Sequence, residues 1–284
     1  MLRLTLVTTF ALFAFAANSL FARMALGSGD TGPVAFTLIR LWSGAAALYA
    51  ILAISKGSNE TEPSQGWAGA MALFLYALMF SVAYVSLDTG TGALALFATV
   101  QLTILGAAAW QGRLARVEVF GAILAFAGFT YLVWPTLGTP SIFGVAAMVL
   151  SGVGWGVYTL LGRGAGAPLP LTARNFFRAS LVATPLMAAI YLNPSVTLSG
   201  AVFAALSGAL TSGCGYAIWY SVIPRLSPAV TGVCQLLVPP LAAIMGWVAL
   251  GEPMGREVLI ATILILGGVL VVILGPAIQA NRQR

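Results

Sequence analysis

The sequence predicts an all-α polytopic membrane protein, with ten transmembrane helices arranged as two inverted five-helix repeats. Three observations lead there. Of the 284 residues, 60% are hydrophobic and only 7% charged, where a soluble domain carries about 25% charged residues. Mean hydropathy is +0.99, and a water-soluble core of this size cannot absorb so much apolar surface. The two halves of the chain also match when shifted by 139 residues: Gly112, Glu118, Val119 and Gly128 fall on Gly251, Glu257, Val258 and Gly267. These features exclude a soluble enzyme, a nucleic-acid binder and a disulfide scaffold.

Charges and clusters of Gly, Pro and Ser cut the chain into ten apolar runs, each near the ~20 residues that cross a bilayer as a helix. The first, 4–25, follows Arg3 and contains Arg23. Small residues around Ala14 imitate a signal peptide, but the run stays apolar well past them, so an uncleaved first helix is expected. The second, 34–55, starts behind Pro33 and stops at Lys56, whose polar connector holds Glu60 and Glu62. Asp88 lies between the third run, 67–87, and the fourth, 93–110. The fifth, 118–134, ends at Pro135, and the sixth, 142–163, ends at Arg163. The seventh, 172–192, contains Pro185, and the eighth, 200–222, stops before Arg225. Pro239-Pro240 lies mid-way along the ninth, 229–249, and Pro276 follows the tenth, 257–275. Cys214 and Cys234 sit inside apolar runs and read as small buried hydrophobes.

With small slips the repeat extends further. Arg23 meets Arg163, Arg40 meets Arg178, Tyr84-Val85-Ser86 meets Tyr220-Ser221-Val222, and Pro135 meets Pro276. Residues 1–137 and 138–284 then form the two repeats. Five spans are an odd number, so the second repeat enters the membrane from the opposite face, as in proteins that alternate access around a midplane site. With both termini in the cytoplasm, inner connectors and tails hold nine basic residues: Arg3, Lys56, Arg113, Arg116, Arg163, Arg174, Arg225, Arg282 and Arg284. Outer connectors then hold two, Arg23 and Arg256. That bias predicts cytoplasmic termini.

Two five-helix repeats, an Arg in the second helix of each, and a Gly251-Glu252-Pro253 turn after the ninth helix resemble the EamA-type ten-helix branch of the drug/metabolite transporter superfamily. Length and aromatic-rich spans look most like its YddG aromatic amino acid exporters. The first repeat departs from the family pattern, since Gly112-Arg113 stands where a Gly-Glu is expected. The resemblance implies an exporter in the bacterial inner membrane that uses no cofactor. Its implied partners are the lipid bilayer and a small-molecule substrate (an amino acid), with no nucleic acid, and a monomer is expected.

The intramembrane chemistry narrows the function. All seven acids, Asp30, Glu60, Glu62, Asp88, Glu118, Glu252 and Glu257, lie in connectors or within about a turn of a span end, and the chain has no His. Intramembrane ionisable groups mark function, so their scarcity argues against carboxylate-coupled export of cations. It argues equally against a His-based dyad or an HExxH zinc site. Arg40 and Arg178 read as structural charges, each about two turns from the start of its span, able to snorkel or bind loop carbonyls. The alternative is a guanidinium pair for a carboxylate or phosphate.

Uncharged groups make the better site. Tyr76, Phe80 and Tyr84 form one stripe of the third span, and Tyr216 repeats that spacing with Tyr220, beside Trp219. Asn18-Ser19 in the first span corresponds to Tyr158-Thr159 in the sixth, with Phe15 and Trp155 one turn earlier. Gln101 and Gln235 are amides at membrane depth, where lipid offers no partner. Together, Asn18, Tyr76, Phe80, Tyr84, Gln101, Trp155, Tyr158, Tyr216, Trp219 and Gln235 describe a mostly apolar cavity with a few polar groups. Pro239 and Pro240 read as a hinge or as a plain packing kink. The expectation is a secondary transporter of amino acids with aromatic preference. Alternatives are a sugar-phosphate, nucleotide-sugar or drug carrier, or an intramembrane enzyme or receptor.

Overall fold

The computed structural model describes residues 2–55, 66–111, 116–133, 141–162, 167–188, 196–222, 235 and 237–282. Ten helices follow one another among them. They are α1 (Leu2–Gly27), α2 (Pro33–Ile54), α3 (Ala68–Ala83), α4 (Thr89–Trp110) and α5 (Arg116–Val133), then α6 (Ser141–Gly162) and α7 (Pro168–Ala183). After them come α8, continuous through Leu198–Ala205, Leu206–Cys214 and Gly215–Val222, then α9 (Val238–Leu250) and α10 (Arg256–Arg282). Five helices, α1, α2, α4, α6 and α8, are long and apolar enough to cross a membrane, while α3 and α9 are shorter apolar helices. The only strand-like pairing among the described residues is an isolated bridge, Thr31 to Val196. Lys56, Arg113, Pro135, Arg163, Arg225 and Cys234 lie outside the described residues.

Local chemistry sets the helix ends. Pro33 and Pro168 open α2 and α7, where the missing N–H costs nothing and φ is already helical. Gly251 ends α9 in the left-handed conformation, φ +66°, and its N–H bonds the Trp247 carbonyl at 3.1 Å. At Pro185 the end of α7 tightens into a 3-10 turn, Thr184–Leu186. In α8 the stretch Leu206–Cys214 is π-helical.

Three expectations need correction. Pro239 and Pro240 do not kink a helix midway; they occupy the first turn of α9, where proline removes no intrahelical bond. Pro276 does not end the last helix, since α10 continues through it to Arg282; one lost backbone bond is tolerated in a long helix. The corner between the third and fourth helices comes about a turn earlier than expected, α3 stopping at Ala83 and α4 starting at Thr89.

Many of the helix contacts pair up when α1–α5 are exchanged with α6–α10. Helix α2 packs on α7, α4 on α9 and α5 on α10. The contact of α3 with α6 answers that of α8 with α1, α4 with α6 answers α9 with α1, and α3 with α7 answers α8 with α2. Small residues allow these close crossings. In α6, Gly154 faces the α3 backbone at Tyr76 and Ala72, while Gly152 and Gly156 face Thr99 and Thr103 of α4. Gly208 of α8 lies directly against the Arg40 carbonyl and the Ser43 hydroxyl of α2.

Gly208 and Gly267 therefore separate crowding from helix propensity. A Cβ at Gly208 would overlap Arg40 and Ser43, so Gly208→Ala is expected to cost about 1–3 kcal/mol or more as overpacking. It should lower the melting temperature and monodisperse yield in detergent. Gly267 has nothing within 4 Å of a built Cβ, so Gly267→Ala should hold or raise the melting temperature, because Ala exceeds Gly in helix propensity by about 1 kcal/mol.

Candidate functional site

A cavity of about 600 Å³ lies inside the bundle, walled by α1, α3, α4, α6, α7 and α8, with Gln235 ahead of α9. That volume suits a small organic molecule. Its aromatic wall is a chain of rings with Trp155 at the centre. The Trp155 centroid is 4.9 Å from Tyr76, 5.3 Å from Tyr158 and 5.3 Å from Tyr216, the last stacked at 20°. Tyr76 continues to Phe80 at 5.5 Å, and Phe15 links Tyr216 to Trp219 at 5.8 and 5.7 Å.

Polar groups punctuate this wall. Asn18 accepts at Oδ1 from the Ser207 hydroxyl at 2.7 Å, with the Thr211 hydroxyl 3.2 Å away. Gln101 and Gln235 are half-buried lining residues. Tyr158 donates its hydroxyl to Thr172 at 3.4 Å. No Asp, Glu, Lys or Arg is among the lining residues.

Of the residues singled out from the sequence, the structure brings Asn18, Tyr76, Phe80, Gln101, Trp155, Tyr158, Tyr216, Trp219 and Gln235 to this one cavity. Tyr84 is not there. It is fully buried behind Phe80, edge-on to that ring at 4.7 Å, and its hydroxyl donates to the Thr89 carbonyl at 3.3 Å. The reason is that α3 ends at Ala83, so its stripe of aromatics leaves the helix at Tyr84 and turns into the α3–α4 corner. Sequence reasoning missed Thr172, Asn175, Thr211 and Ser212, all of which line the cavity. Asn175 was findable, as the one amide within the seventh apolar run. Both polar atoms of its side chain are buried without a hydrogen-bond partner. Thr211 and Ser212 gave no signal, because helical hydroxyls usually bond their own backbone.

The two intramembrane arginines have different surroundings. Arg178 donates to the Gly66 carbonyl and lies over the Trp67 ring, 5.3 Å from its centroid. Arg40 neither snorkels nor reaches a loop carbonyl. It is 1% exposed, wedged by the close α2–α8 crossing behind the Tyr76 and Phe80 rings, and donates to the Tyr76 hydroxyl at 2.8 Å.

A cluster of ions sits at the opposite end of the bundle from most of the cavity lining. Arg23, near the end of α1, pairs with Glu252 of the α9–α10 turn at 3.2 Å and with Asp88 at 3.5 Å. It also donates to the Tyr84 and Val85 carbonyls, each at 3.3 Å. Glu252 in turn accepts the Thr89 N–H at 2.8 Å, capping α4. Four helix ends are thus tied together at one face. The cavity instead reaches toward the end where α6 finishes at Gly162 and α7 begins at Pro168.

The EamA-like transporter family matches residues 142–274. An uncharacterized protein of Pseudomonas aeruginosa is 44% identical over 99% of this chain and 98% of its own length. The chain belongs to the EamA-like transporter family. More distant EamA-like relatives include the uncharacterized transporter YoaV of Bacillus subtilis, 20% identical over 87% of this chain and 89% of its own. An uncharacterized transporter of Archaeoglobus fulgidus is 23% identical over 72% and 75%. A solved crystal structure shares the fold, with a TM-score of 0.65 at 23% identity, covering 95% of this chain and 96% of its own. This EamA-like protein is accordingly a multi-pass membrane transporter of the drug/metabolite type.

Tyr84→Phe tests the boundary of the cavity. It removes a fully buried hydroxyl bonded to Thr89, a loss of about 1 kcal/mol, so the melting temperature should fall by a few degrees. Transport should stay within about twofold of the parent, less than 1 kcal/mol. A tenfold loss of transport at normal stability would return Tyr84 to the site.

Proposed function

We propose that this EamA-like transporter exports amino acids, aromatic ones preferentially, as the YddG-like branch does, by alternating access between inverted repeats 1–137 and 138–284. The observation that carries the reading is the cavity itself: charge-free, walled by stacked aromatics around Trp155, and closed at one end by the Arg23–Glu252–Asp88 cluster. With the termini in the cytoplasm of a bacterial cell, the cavity faces the cytoplasm and the ion cluster seals the outside. On this reading the transporter acts as a monomer. With its prolines confined to the first turn, where they break no intrahelical bond, α9 moves as a unit.

Neutral groups must then meet a zwitterion. The amides of Asn18, Gln101, Asn175 and Gln235 return only part of the cost of desolvating two charges. Binding is therefore weak, and selectivity comes from the side chain stacking on Trp155 and Tyr216, worth about 0.5–1.5 kcal/mol beyond area burial. A sugar-phosphate or nucleotide-sugar carrier would want cations on the lining, and none is present among the lining residues.

Counterflow into proteoliposomes across amino acids, sugar phosphates and cationic drugs tests the substrate class. Phe, Tyr or Trp should be favoured over small polar amino acids by about tenfold, or about 1.4 kcal/mol. Trp155→Ala should erode that preference, whereas Gln101→Ala should slow every substrate alike. Uptake of sugar phosphates or cationic drugs with no amino acid moved would overturn the proposal.

A further inference from the structure

Arg40 is a buried cation lacking an anion. Its side chain is 1% exposed, and no carboxylate pairs with it among the described residues. Its Nε and Nη1 have no hydrogen-bond partner among the described residues. A guanidinium carries its charge wherever it is placed, and an unpaired buried charge is strongly destabilising. Two aromatic faces, Phe80 at 4.6 Å and Tyr76 at 5.0 Å, offset part of that cost. The one short hydrogen bond, Nη2 to the Tyr76 hydroxyl at 2.8 Å, points at the cavity wall.

That bond leaves Tyr76 with a proton to give. Its oxygen accepts from Arg40, and no acceptor for its own hydroxyl hydrogen is present among the described residues. Ser212 stands 3.5 Å from the same Nη2 and also lines the cavity. Span hydroxyls here habitually donate to the carbonyl four residues back, as Thr99, Thr103, Thr159, Ser180 and Thr262 do. Ser212, within the π-helical stretch of α8, makes no such bond among the described residues.

We propose that Tyr76 and Ser212 form the carboxylate pocket of the cavity, with Arg40 as the positioning charge behind them. This rests on the amino acid reading and names how its acidic group is held. The two hydroxyls donate to the carboxylate, and Arg40 supplies the compensating charge through the Tyr76 hydroxyl without touching the ligand. The side chain then reaches Trp155, whose ring centroid is 4.9 Å from that of Tyr76. An aromatic amino acid spans this separation, so one ligand engages both ends. The ammonium has no counter-charge on the lining and takes the amides.

The test is competition against bound radiolabelled L-phenylalanine on purified full-length protein in nanodiscs. Competitors are L-phenylalanine, 3-phenylpropionate, phenylalaninamide and phenethylamine. In the wild-type protein the two carboxylates should compete at least tenfold better than phenylalaninamide and phenethylamine, which keep the amine and lack the carboxylate. Tyr76→Phe with Ser212→Ala, which leaves Arg40 in place, should shrink that gap to threefold or less while preserving the preference for phenylalanine over alanine. Arg40→Gln should shrink it likewise where it folds; the double variant keeps the test decisive where it does not. Equal competition by phenylalanine and its amide, or an undiminished gap in the double variant, overturns this inference and leaves amino acid export standing. Displacement of no amino acid, with binding of cationic drugs instead, overturns both.

Discussion

Inside the bundle a polar group has only protein, or whatever enters the cavity, to bond with, and this constraint organises the rest of the structure. Most span hydroxyls satisfy it within their own helix, at the carbonyl four residues earlier. Others bond between helices, as Thr37 does to Ser81 at 2.8 Å and Ser151 to the Tyr76 carbonyl at 3.0 Å. Thr8, Thr31 and Thr89 keep unpaired hydroxyls elsewhere among the described residues, but Arg40 and Asn175, with the hydroxyls of Tyr76 and Ser212, lie at or behind the cavity lining. Native interiors leave few such groups unpaired, and each one asks for an explanation. A ligand that arrives with an acid and an amine supplies one.

Mobility has a physical basis in the same contacts. Glycines bring helices together over small contacts, Gly208 and Gly154 against backbone of α2 and α3, and Gly152 and Gly156 against the short Thr99 and Thr103 side chains. Such faces interlock less than interdigitated leucines. The Arg23 cluster adds a latch built of charges on the ends of α1 and α4 and on the α9–α10 turn. Asp88 is 43% exposed, so its pair with Arg23 is worth little, whereas Glu252 is 10% exposed and its pair is the stronger part of the latch. On the proposed function, opening the outer face means breaking that pair.

Composition and the internal match made the all-helical membrane fold legible, because about 20 apolar residues in a row have few other uses. Asn18, Gln101 and Gln235 were legible because an amide at membrane depth must face protein or a cavity, and the lining aromatics from their helical stripes and repeat equivalence, since an aromatic alone does not decide: Trp42 and Tyr49 are exposed. Tyr84 misled because helical spacing was extended one turn beyond where α3 stops, and helix ends are the part of a pattern that sequence marks least clearly. Pro239 and Pro240 misled by the same route, since a proline pair reads identically as a mid-helix kink and as a first turn. The fate of Arg40 was not readable at all. Its counterpart Arg178 sits nearly a turn further into its helix, which starts at Pro168, and bonds a loop carbonyl, whereas the crossing of α2 with α8 closes over Arg40.

Access to the cavity from alternating faces is the claim on which the functional account stands. It can be measured at a cysteine placed at Phe97, a half-buried lining residue of α4, with Cys214 and Cys234 replaced by alanine. An impermeant thiol reagent applied to sealed vesicles of each orientation should label it from the cytoplasmic face. Adding Glu252→Gln, which weakens the Arg23 latch, should raise labelling from the outer face and lower it from the inner one. Labelling from the outer face alone in the parent, or a latch variant that changes neither side, would contradict the account.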